Sequence, residues 1–456
     1  MRLKKIYTII LFAIIGLTTT AQNFTWAKQF GGSGDDRAQS IVVDAAGNVY
    51  TTGYFSGTTD FDPGAGIYNL TSAGGLEVFV SKIDAAGSFV WAKQFAGVGG
   101  DRGNSIVVDA SGNVYTTGFF DNTTDFDPGA GIFNLTCVGS ENSFISKLDA
   151  SGNFVWAKSI GGGASSVIGR SIKVDVSGNV YTSGYFLGTT DFDTGAGTYN
   201  LTGIGSYDVF VSKLDVAGNF VWAKQLATSA IDYGFGLDID ASGNVYTTGT
   251  FAGSGDFDPG AGVFNMTTSG SYDIFISKLD ASGNFVWAKQ MGGINGDIAY
   301  SIVVDAIGNV YTTGYFSSNA DFDPGAGVFN LNAPSGDIFV SKLNSSGNFV
   351  WAKQMGGGFF DNGFGITVDA AGNVYTTGFF NGSADFDPGA GSFILSSSGA
   401  DDVFISKLDA SGNFVWAKNV GGSGIDYGNS IALDGTNNIY TTGFFNSTSD
   451  FDPGPG

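Results

Sequence analysis

The sequence predicts an all-β fold, a seven-bladed β-propeller of four-stranded antiparallel blades. All seven tryptophans of the 456-residue chain lie in Trp-Ala-Lys motifs, and successive motifs are 64 to 66 residues apart. A regular period of this kind is typical of repeat architectures. Within each period the apolar and β-branched residues alternate with a period of two, which indicates strands rather than amphipathic helices. Radial repetition of such a unit favours a propeller.

Each repeat is predicted to contain two β-hairpins, and therefore four strands. In the first copy, residues 40–44 and 48–55 form the first hairpin, and residues 78–84 and 89–95 form the second. Gly47 is expected to supply the positive φ that the turn of the first hairpin needs. Propeller blades usually run from the axis outwards in chain order, so the first strand of each repeat is expected to line the axis.

The two ends of the chain are predicted to meet in one blade. The sequence contains seven copies of the first hairpin, six copies of the second, and one additional fourth strand at residues 23–30. Pairing of this N-terminal strand with the last blade would close the ring and remove exposed strand edges. The closing blade then lacks only its third strand, so we expect either a longer natural sequence or an incomplete last blade.

Residues 1–21 are predicted to be a secretory signal peptide, and residues 22–456 to be the propeller. Three basic residues precede an apolar run at residues 6–17 that is too short to span a bilayer comfortably, and small residues follow it. Cleavage is expected before Gln22. A second apolar run of membrane length is not present in the sequence, so the mature chain is expected to have no membrane span.

The repeat unit has a recognisable sequence. Residues 103–119 read Gly-Asn-Ser-Ile-Val-Val-Asp-Ala-Ser-Gly-Asn-Val-Tyr-Thr-Thr-Gly-Phe. This unit resembles the bacterial SBBP-type β-propeller repeat, and the resemblance covers essentially the whole of the predicted mature chain. It implies a propeller in an exported bacterial protein, secreted or at the cell surface. The resemblance implies no established reaction.

Composition narrows the classes of function. The chain has 42 acidic and 20 basic side chains and a net charge of −22, so it should repel nucleic acid and anionic membranes. It has no histidine and a single cysteine, which excludes zinc chemistry and Ser-His-Asp or Cys-His catalysis in their usual forms. Because the same aspartates recur in every repeat, they favour a structural role over one differentiated active site. We therefore predict no catalytic residues.

The connection between the two hairpins contains a recurring acidic motif, Asp60-Phe61-Asp62-Pro-Gly-Ala-Gly in the first copy. In an extended chain Asp60 and Asp62 face the same side. Two carboxylates on one side form a partial calcium site, although the spacing is not that of an EF-hand. The alternative is an Asp-capped Pro-Gly turn anchored by Phe61.

A second acidic series lies four residues before the start of the first strand, and only the third copy interrupts it, with Val167. If these strands surround the axis, the carboxylates would ring one mouth of the channel and attract Ca²⁺ or a cationic partner. The alternative is that each carboxylate accepts backbone N–H bonds in its own loop. The members of the series are Asp36, Asp101, Asp232, Asp297, Asp361 and Asp426.

The loops that precede the first strands vary most between repeats, and variable loops on a constant scaffold commonly bind ligands. The ligand-binding residues predicted in them are Arg37, Arg102, Tyr233, Tyr300 and Tyr427. The predicted function is an exported scaffold or binding module without catalytic activity, whose ligand is a protein or a glycan. No cofactor is required in this interpretation. The alternatives are a calcium-stabilised surface adhesion module and a carbohydrate-active propeller enzyme.

Overall fold

A computed structural model describes the backbone of residues 7–17, 21–163 and 165–452, with side chains from residue 23 onwards. Within these residues all regular structure is β-strand, which confirms the all-β prediction, and no helix that could span a membrane occurs among them. The first two strands precede the repeats: β1 (Tyr7–Leu17) and β2 (Ala21–Gly32).

The remaining strands follow the repeats in chain order. The first three repeats contain β3 (Arg37–Val43), β4 (Val49–Phe55), β5 (Thr58–Asp60), β6 (Asn69–Thr71), β7 (Glu77–Ile83), β8 (Phe89–Gly97), β9 (Arg102–Val108), β10 (Val114–Phe120), β11 (Thr123–Asp125), β12 (Asn134–Thr136), β13 (Asn142–Leu148), β14 (Phe154–Ile160), β15 (Ser166–Val174), β16 (Val180–Leu187), β17 (Thr189–Asp191), β18 (Asn200–Thr202), β19 (Asp208–Leu214) and β20 (Phe220–Thr228). The later repeats contain β21 (Tyr233–Ile239), β22 (Val245–Phe251), β23 (Ser254–Asp256), β24 (Asn265–Thr267), β25 (Asp273–Leu279), β26 (Phe285–Gly293), β27 (Ile298–Val304), β28 (Val310–Asp321), β29 (Asn330–Leu343), β30 (Phe349–Gly357), β31 (Asn362–Val368), β32 (Val374–Asp385), β33 (Ile394–Leu408), β34 (Phe414–Gly422), β35 (Asp426–Leu433), β36 (Ile439–Asn446) and β37 (Ser449–Asp450).

Within a repeat the strands pair antiparallel in the predicted order. In the first repeat β3 pairs with β4, β4 with β7, and β7 with β8. The turn between β3 and β4 places Gly47 at φ 81°, which confirms the predicted positive φ. The Asp44 carboxylate stabilises this turn by accepting the backbone N–H of Asn48 at 2.9 Å and the hydroxyl of Tyr50 at 3.0 Å.

The connection between the two hairpins contains a third, short hairpin, which the sequence analysis did not predict. In the first repeat it consists of β5 and β6, and β5 also pairs with β2. In the same way β11 pairs with β8 of the preceding repeat, and β23 pairs with β20. In the fifth repeat β28 is long enough to pair with β26 of the preceding repeat as well as with β27 and β29. Backbone hydrogen bonds therefore connect neighbouring repeats.

Aromatic side chains fill the core between these elements. Phe61 is fully buried, and its ring lies 5.4 Å from the ring of Phe55 and 5.1 Å from that of Phe79. Trp91 is 8% exposed, and its ring meets Tyr50 edge-on at 6.2 Å. Trp91 also belongs to a buried cluster with residues of the second repeat such as Val114. Trp91 therefore packs in the core between the first and second repeats.

The first strands of the repeats are neighbours of one another. β3 contacts β9, and the contacts continue through β15, β21, β27, β31 and β35, which contacts β3 again. Side chains of one first strand bond to the backbone of the next. The Ile106 N–H donates to Ser40 Oγ at 3.3 Å, and the Ile41 N–H donates to Ser430 Oγ at 3.4 Å.

The N-terminal strands lie beside the last repeat. β1 pairs with β36 on one side and with β2 on the other, in the sheet order β35-β36-β1-β2-β5-β6. β1 thus occupies the place for which sequence analysis predicted no strand. The predicted signal peptide is described only in part, because residues 1–6 and 18–20 lie outside the described residues, as do residues 453–456. Its cleavage before Gln22 stays a prediction.

Candidate functional site

A central cavity of about 310 Å³ lies among the first strands, and β3, β9, β15, β21, β27, β31 and β35 all line it. Its volume is at the lower end of the range of small-molecule sites, about 300–1,000 Å³. This is enough space for a ligand the size of one sugar ring or one small organic acid.

One position of the first strand differs between repeats where it lines the cavity. It lies two residues before an aliphatic residue that recurs in every repeat, such as Ile41 in the first and Ile106 in the second. We call the seven residues at this position the variable lining residues: Gln39, Asn104, Arg170, Phe235, Tyr300, Phe364 and Asn429. Three neighbouring repeats thus contribute aromatic rings, and the others contribute an arginine or side-chain amides. The variation that commonly accompanies ligand binding therefore lies on strands that surround one cavity.

The charge of the cavity is opposite to that of the chain. The charged side chains that line it are Arg170 and Lys173, and its lining includes no aspartate or glutamate. Lys173 Nζ lies 3.1 Å from Asp238 Oδ1. Within the described part of the chain Arg170 forms no salt bridge, and its guanidinium lies 5.3 Å from the ring centroid of Phe235. A positively lined cavity in a chain of net charge −22 has a potential that attracts anions.

The five predicted ligand-binding residues lie on strands and not in loops, which corrects the sequence analysis. Arg37, Arg102 and Tyr233 are the first residues of β3, β9 and β21, and Tyr427 is the second residue of β35. Strand pairing extends further towards the N-terminus than the alternation of residues 40–44 indicated. Tyr300, which lies within β27, is the one of these five residues that lines the central cavity.

Ring contacts through Phe235 and Phe364 connect the three predicted tyrosines, Tyr233, Tyr300 and Tyr427. Tyr300 lies 5.0 Å from Phe235 and 5.2 Å from Phe364, measured between ring centroids. Tyr233 lies 5.9 Å from Phe235, and Tyr427 lies 5.9 Å from Phe364. Phe235, Phe364 and Arg170 were not among the predicted ligand-binding residues. An alignment of the seven repeats would have identified them, because the position two residues before the recurring aliphatic residue differs between repeats.

Arg37 extends this series of ring contacts beyond Tyr427. The Arg37 guanidinium lies 4.3 Å from the ring centroid of Phe444, which in turn lies 5.0 Å from Tyr427. Arg37 Nε also pairs with Asp35 at 2.9 Å. The Arg102 guanidinium lies 4.8 Å from the ring of Tyr54, and Arg102 forms no salt bridge with any described residue.

The second acidic series, here called the loop acids, is fully buried and does not line the cavity, so the expected ring of carboxylates at one mouth is not formed. Asp297 is typical: Oδ2 accepts the Gly293 N–H at 2.7 Å and Oδ1 accepts the Ser317 N–H at 3.0 Å. Asp36 accepts the Gly32 N–H and the Thr59 hydroxyl, each at 2.8 Å. Asp101 accepts the Asp121 N–H at 3.1 Å and the Thr124 hydroxyl at 2.8 Å. The loop acids therefore accept hydrogen bonds within and beside their own loops.

Burial raises the pKa of the loop acids because it disfavours the charged carboxylate. The pKa rises to about 7 in Asp101, Asp232, Asp297 and Asp361, and to about 6 in Asp426. In Asp36 the pKa is also raised.

Sequence analysis missed a second set of buried carboxyl groups, here called the strand acids, at the start of the third strand of a repeat. They are Glu77, Asp208, Asp273, Asp337 and Asp402. Each has one carboxylate oxygen without a hydrogen-bond partner among the described residues. Burial raises the pKa of Glu77 to about 7 and that of Asp337 to about 6. An acidic residue directly before a Val-Phe or Ile-Phe pair is the sequence signal that identifies them.

Loop acids and strand acids occur as neighbours. The Asp297 N–H donates to the carbonyl oxygen of Tyr272, the residue before Asp273, at 2.9 Å. The charge of Asp273 contributes to the raised pKa of Asp297, after burial itself. Val167 replaces the loop acid of the third repeat, and Asn142 stands in place of the strand acid of the second repeat, which is its neighbour. Both carboxyl groups of a pair are thus absent together at that position.

The Asp60 and Asp62 motif forms a capped turn, as the structural interpretation of the sequence described. Asp60 Oδ1 accepts the N–H groups of Asp62 at 3.0 Å and Tyr68 at 2.8 Å, and Asp62 Oδ1 accepts the Gly64 N–H at 2.8 Å. A Cβ at Gly66 would lie 2.1 Å from Asp62 Oδ2, so a larger residue there would displace this carboxylate. Within the described residues no group of three or more His, Cys, Asp or Glu side chains could hold a metal ion. Calcium binding stays a prediction.

Comparison with known proteins identifies the repeat. Five segments match the family model of the SBBP beta-propeller repeat: residues 25–62, 90–118, 221–250, 286–323 and 415–452. The chain carries SBBP repeats. The five matched segments contain parts of the first, second and fourth strands of a repeat. Each segment includes one variable lining residue: Gln39, Asn104, Phe235, Tyr300 and Asn429. The SBBP repeats thus supply the scaffold on which the lining residues vary.

Two proteins have sequences similar to this chain. An uncharacterized WD repeat-containing protein of Acanthamoeba polyphaga mimivirus is 24% identical over 525 residues, which cover 94% of this chain and 36% of that protein. Regulatory protein FlaEY of Caulobacter vibrioides is 27% identical over 146 residues, which cover 32% of this chain and 15% of that protein. The chain therefore spans about a third of the length of the first relative, and less of the second.

Two solved structures also resemble the chain. Sqt1 from Chaetomium thermophilum has 10% identity and a TM-score of 0.37, and the match covers 91% of this chain and 97% of that one. A protein of unknown function from Bacteroides caccae has 10% identity and a TM-score of 0.34, and the match covers 76% of this chain and 93% of that one.

Proposed function

We propose that the chain is an exported, non-catalytic binding module, secreted or held at the cell surface, whose strands form a closed seven-bladed propeller. The contacts of β3 through β9, β15, β21, β27 and β31 to β35, and from β35 back to β3, support the ring. The ring of Trp26 in β2 lies 6.1 Å from the ring of Tyr440 in β36, which supports closure by the N-terminal strand that remains after cleavage before Gln22. Seven first strands around one cavity are the arrangement that radial repetition produces.

We propose further that the ligand is a saccharide whose terminal ring enters the central cavity. The observation that carries this proposal is the difference between repeats at the variable lining residues. Phe235, Tyr300 and Phe364 offer apolar ring surface on one side, and amides such as Gln39 offer hydrogen-bond donors and acceptors on the other. A sugar ring has the same two components, a C–H face and a rim of hydroxyl groups.

The lining of the cavity also supports a non-catalytic role. Glycoside hydrolysis generally uses a pair of carboxyl groups that flank the scissile bond. The residues that line the cavity include none, and the paired carboxyl groups of this chain are buried elsewhere, between adjacent loops. A bound sugar is therefore expected to leave the cavity unchanged.

The test uses methyl glycosides of glucose, galactose, mannose, xylose, glucuronate and galacturonate as probes, with saturation-transfer NMR and calorimetry as readouts. We expect at least one glycoside to bind and none to be cleaved. Gln39→Ala and Tyr300→Ala should each weaken binding roughly tenfold, since each removes a lining group worth about 1–2 kcal/mol. Phe359→Ala, at an aromatic residue that is 57% exposed and outside the cavity, is the matched control. Absence of binding by every probe, or binding that both cavity variants retain in full, would overturn the proposal.

Calcium provides a separate test of the adhesion alternative. We expect the melting temperature to be the same in millimolar Ca²⁺ and in excess chelator, because the carboxylates of the loop acids and of Asp60 and Asp62 already accept N–H or O–H groups. A ligand that binds only the folded state would raise the melting temperature by linkage. If Ca²⁺ raises the melting temperature and Asp60→Asn abolishes that increase, a calcium-stabilised module is favoured instead.

A further inference from the structure

The charge of the central cavity defines its ligand more closely. We infer that the cavity selects a sugar that carries a carboxylate, with the anionic group held by Arg170 and the ring placed against Phe235, Tyr300 and Phe364. This inference rests on the proposed function and adds the chemical class of the ligand. It identifies the terminal residue of an acidic glycan, a hexuronate, as the class of group that enters the cavity.

The first reason is the distribution of charge. The chain has 42 acidic side chains, yet the lining of the cavity has Arg170 and Lys173 and no carboxylate. In the described chain Lys173 is paired with Asp238, whereas Arg170 has no acidic partner. An arginine without a carboxylate partner at a partly enclosed site retains its full capacity to bind one, and Arg matches the geometry of a carboxylate with two parallel N–H donors.

The second reason is the position of the other arginines. Outside the predicted signal peptide the chain has three arginines, Arg37, Arg102 and Arg170, and they lie on the successive first strands β3, β9 and β15. The aromatic lining residues lie on the next three strands, β21, β27 and β31. The arginines and the aromatic lining residues therefore occupy two separate groups of neighbouring first strands, and of the three arginines Arg170 lines the cavity itself. This asymmetry is not a property of the repeat, because the positions concerned differ between repeats.

The third reason is the contact that joins the two groups. The guanidinium of Arg170 lies 5.3 Å from the ring centroid of Phe235, and Phe235 lies 5.0 Å from Tyr300. Stacking on an aromatic ring holds the guanidinium in place, so less freedom is lost when it binds an anion. A cavity of about 310 Å³ admits one sugar ring and its carboxylate, so a terminal residue fits better than the interior of a polymer.

The experiment compares methyl β-D-glucuronide with methyl β-D-glucoside, which differ only in having a carboxylate or a hydroxymethyl group at one carbon. We expect the glucuronide to bind at least tenfold more tightly at low salt, and the difference to shrink as salt is added. Arg170→Gln should weaken binding of the glucuronide at least tenfold and leave the affinity for the glucoside unchanged. Arg170→Lys keeps the charge and should retain an intermediate preference for the glucuronide.

The control is Lys93→Gln. It changes the net charge by the same amount as Arg170→Gln, but Lys93 lies on β8, outside the cavity. Thermal melts of each variant establish that it is folded. Equal affinity for both glycosides in the wild type would overturn the inference and leave the proposed saccharide site intact. Binding of acetate or inorganic phosphate as tight as that of the glucuronide, and equally dependent on Arg170, would show an anion site without sugar recognition and would also overturn it.

Discussion

The chain should be most stable at mildly acidic pH and should lose stability as the pH rises towards 8. The loop acids and strand acids have a raised pKa in the folded state, up to about 7 for Asp297 and Glu77. In the unfolded chain these carboxyl groups ionise near pH 4, so between these values the folded state binds more protons than the unfolded state. Their stabilising contribution is complete below about pH 4 and is lost as the pH rises through about 7.

The aspartates in the turns of the first hairpins have the opposite effect and limit stability at low pH. Hydrogen bonds from Asn48 and Tyr50 lower the pKa of Asp44 despite the opposing effect of its partial burial, and the equivalent Asp109, Asp175 and Asp240 have lowered pKa values for the same reason. A lowered pKa contributes stability above the unfolded value, near 4, that is lost as the pH falls through the folded value. The two groups together place the optimum near pH 4, and stability falls steadily from there towards pH 7.

Melting temperatures measured from pH 3 to pH 9 test this prediction. One pKa unit corresponds to about 1.4 kcal/mol, so we expect the melting temperature to be roughly 10 °C lower at pH 8.5 than at pH 5.5. Asp273→Asn removes a strand acid that has an unpartnered oxygen, and it should raise the melting temperature at pH 8.5 but not at pH 5. Asp280→Asn, in an exposed turn where hydrogen bonds lower the pKa, should lower the melting temperature at pH 8.5. A wild type that is more stable at pH 8.5 than at pH 5.5 would contradict the prediction.

Removal of the predicted signal peptide should lower the melting temperature of the chain. The backbone of β1 pairs with β36 on one side and with β2 on the other. A chain that begins at Gln22 therefore lacks the strand between them and exposes two rows of backbone N–H and C=O groups. We expect this chain to melt at least about 5 °C below the full chain, because a central strand of one sheet is lost.

A strand supplied in trans should restore the loss. The third strand of the fourth repeat, β25, has the sequence Asp-Ile-Phe-Ile-Ser-Lys-Leu and lies between two strands equivalent to β36 and β2. A synthetic peptide of this sequence should raise the melting temperature of the Gln22 chain and should leave that of the full chain unchanged. A scrambled peptide is the control. If the Gln22 chain has the same melting temperature as the full chain and the peptide does not change it, β1 is not an essential part of the sheet.

The elements of this protein and their order within a repeat could be predicted from the amino-acid sequence. Alternation with a period of two, together with Asp-x-x-Gly-Asn turns, predicted the strands, because strand and turn formation depend on neighbouring residues. The predicted strands at residues 78–84 and 89–95 differ from Glu77–Ile83 and Phe89–Gly97 by one or two residues at their ends. The positive φ of Gly47 and the burial of Phe61 were predictable for the same local reason.

Which residues of different repeats meet could not be predicted and depends on how the repeats pack. Arg170, Phe235 and Tyr300 are about 65 residues apart in sequence, and they share one cavity because the first strands pack side by side. The same packing buries the loop acids, for which the sequence equally allowed an exposed ring, and places Asp297 beside Asp273. Whether a side chain lines a cavity or is buried in a loop depends on the distances between repeats, and a periodic sequence repeats the residue types without specifying those distances.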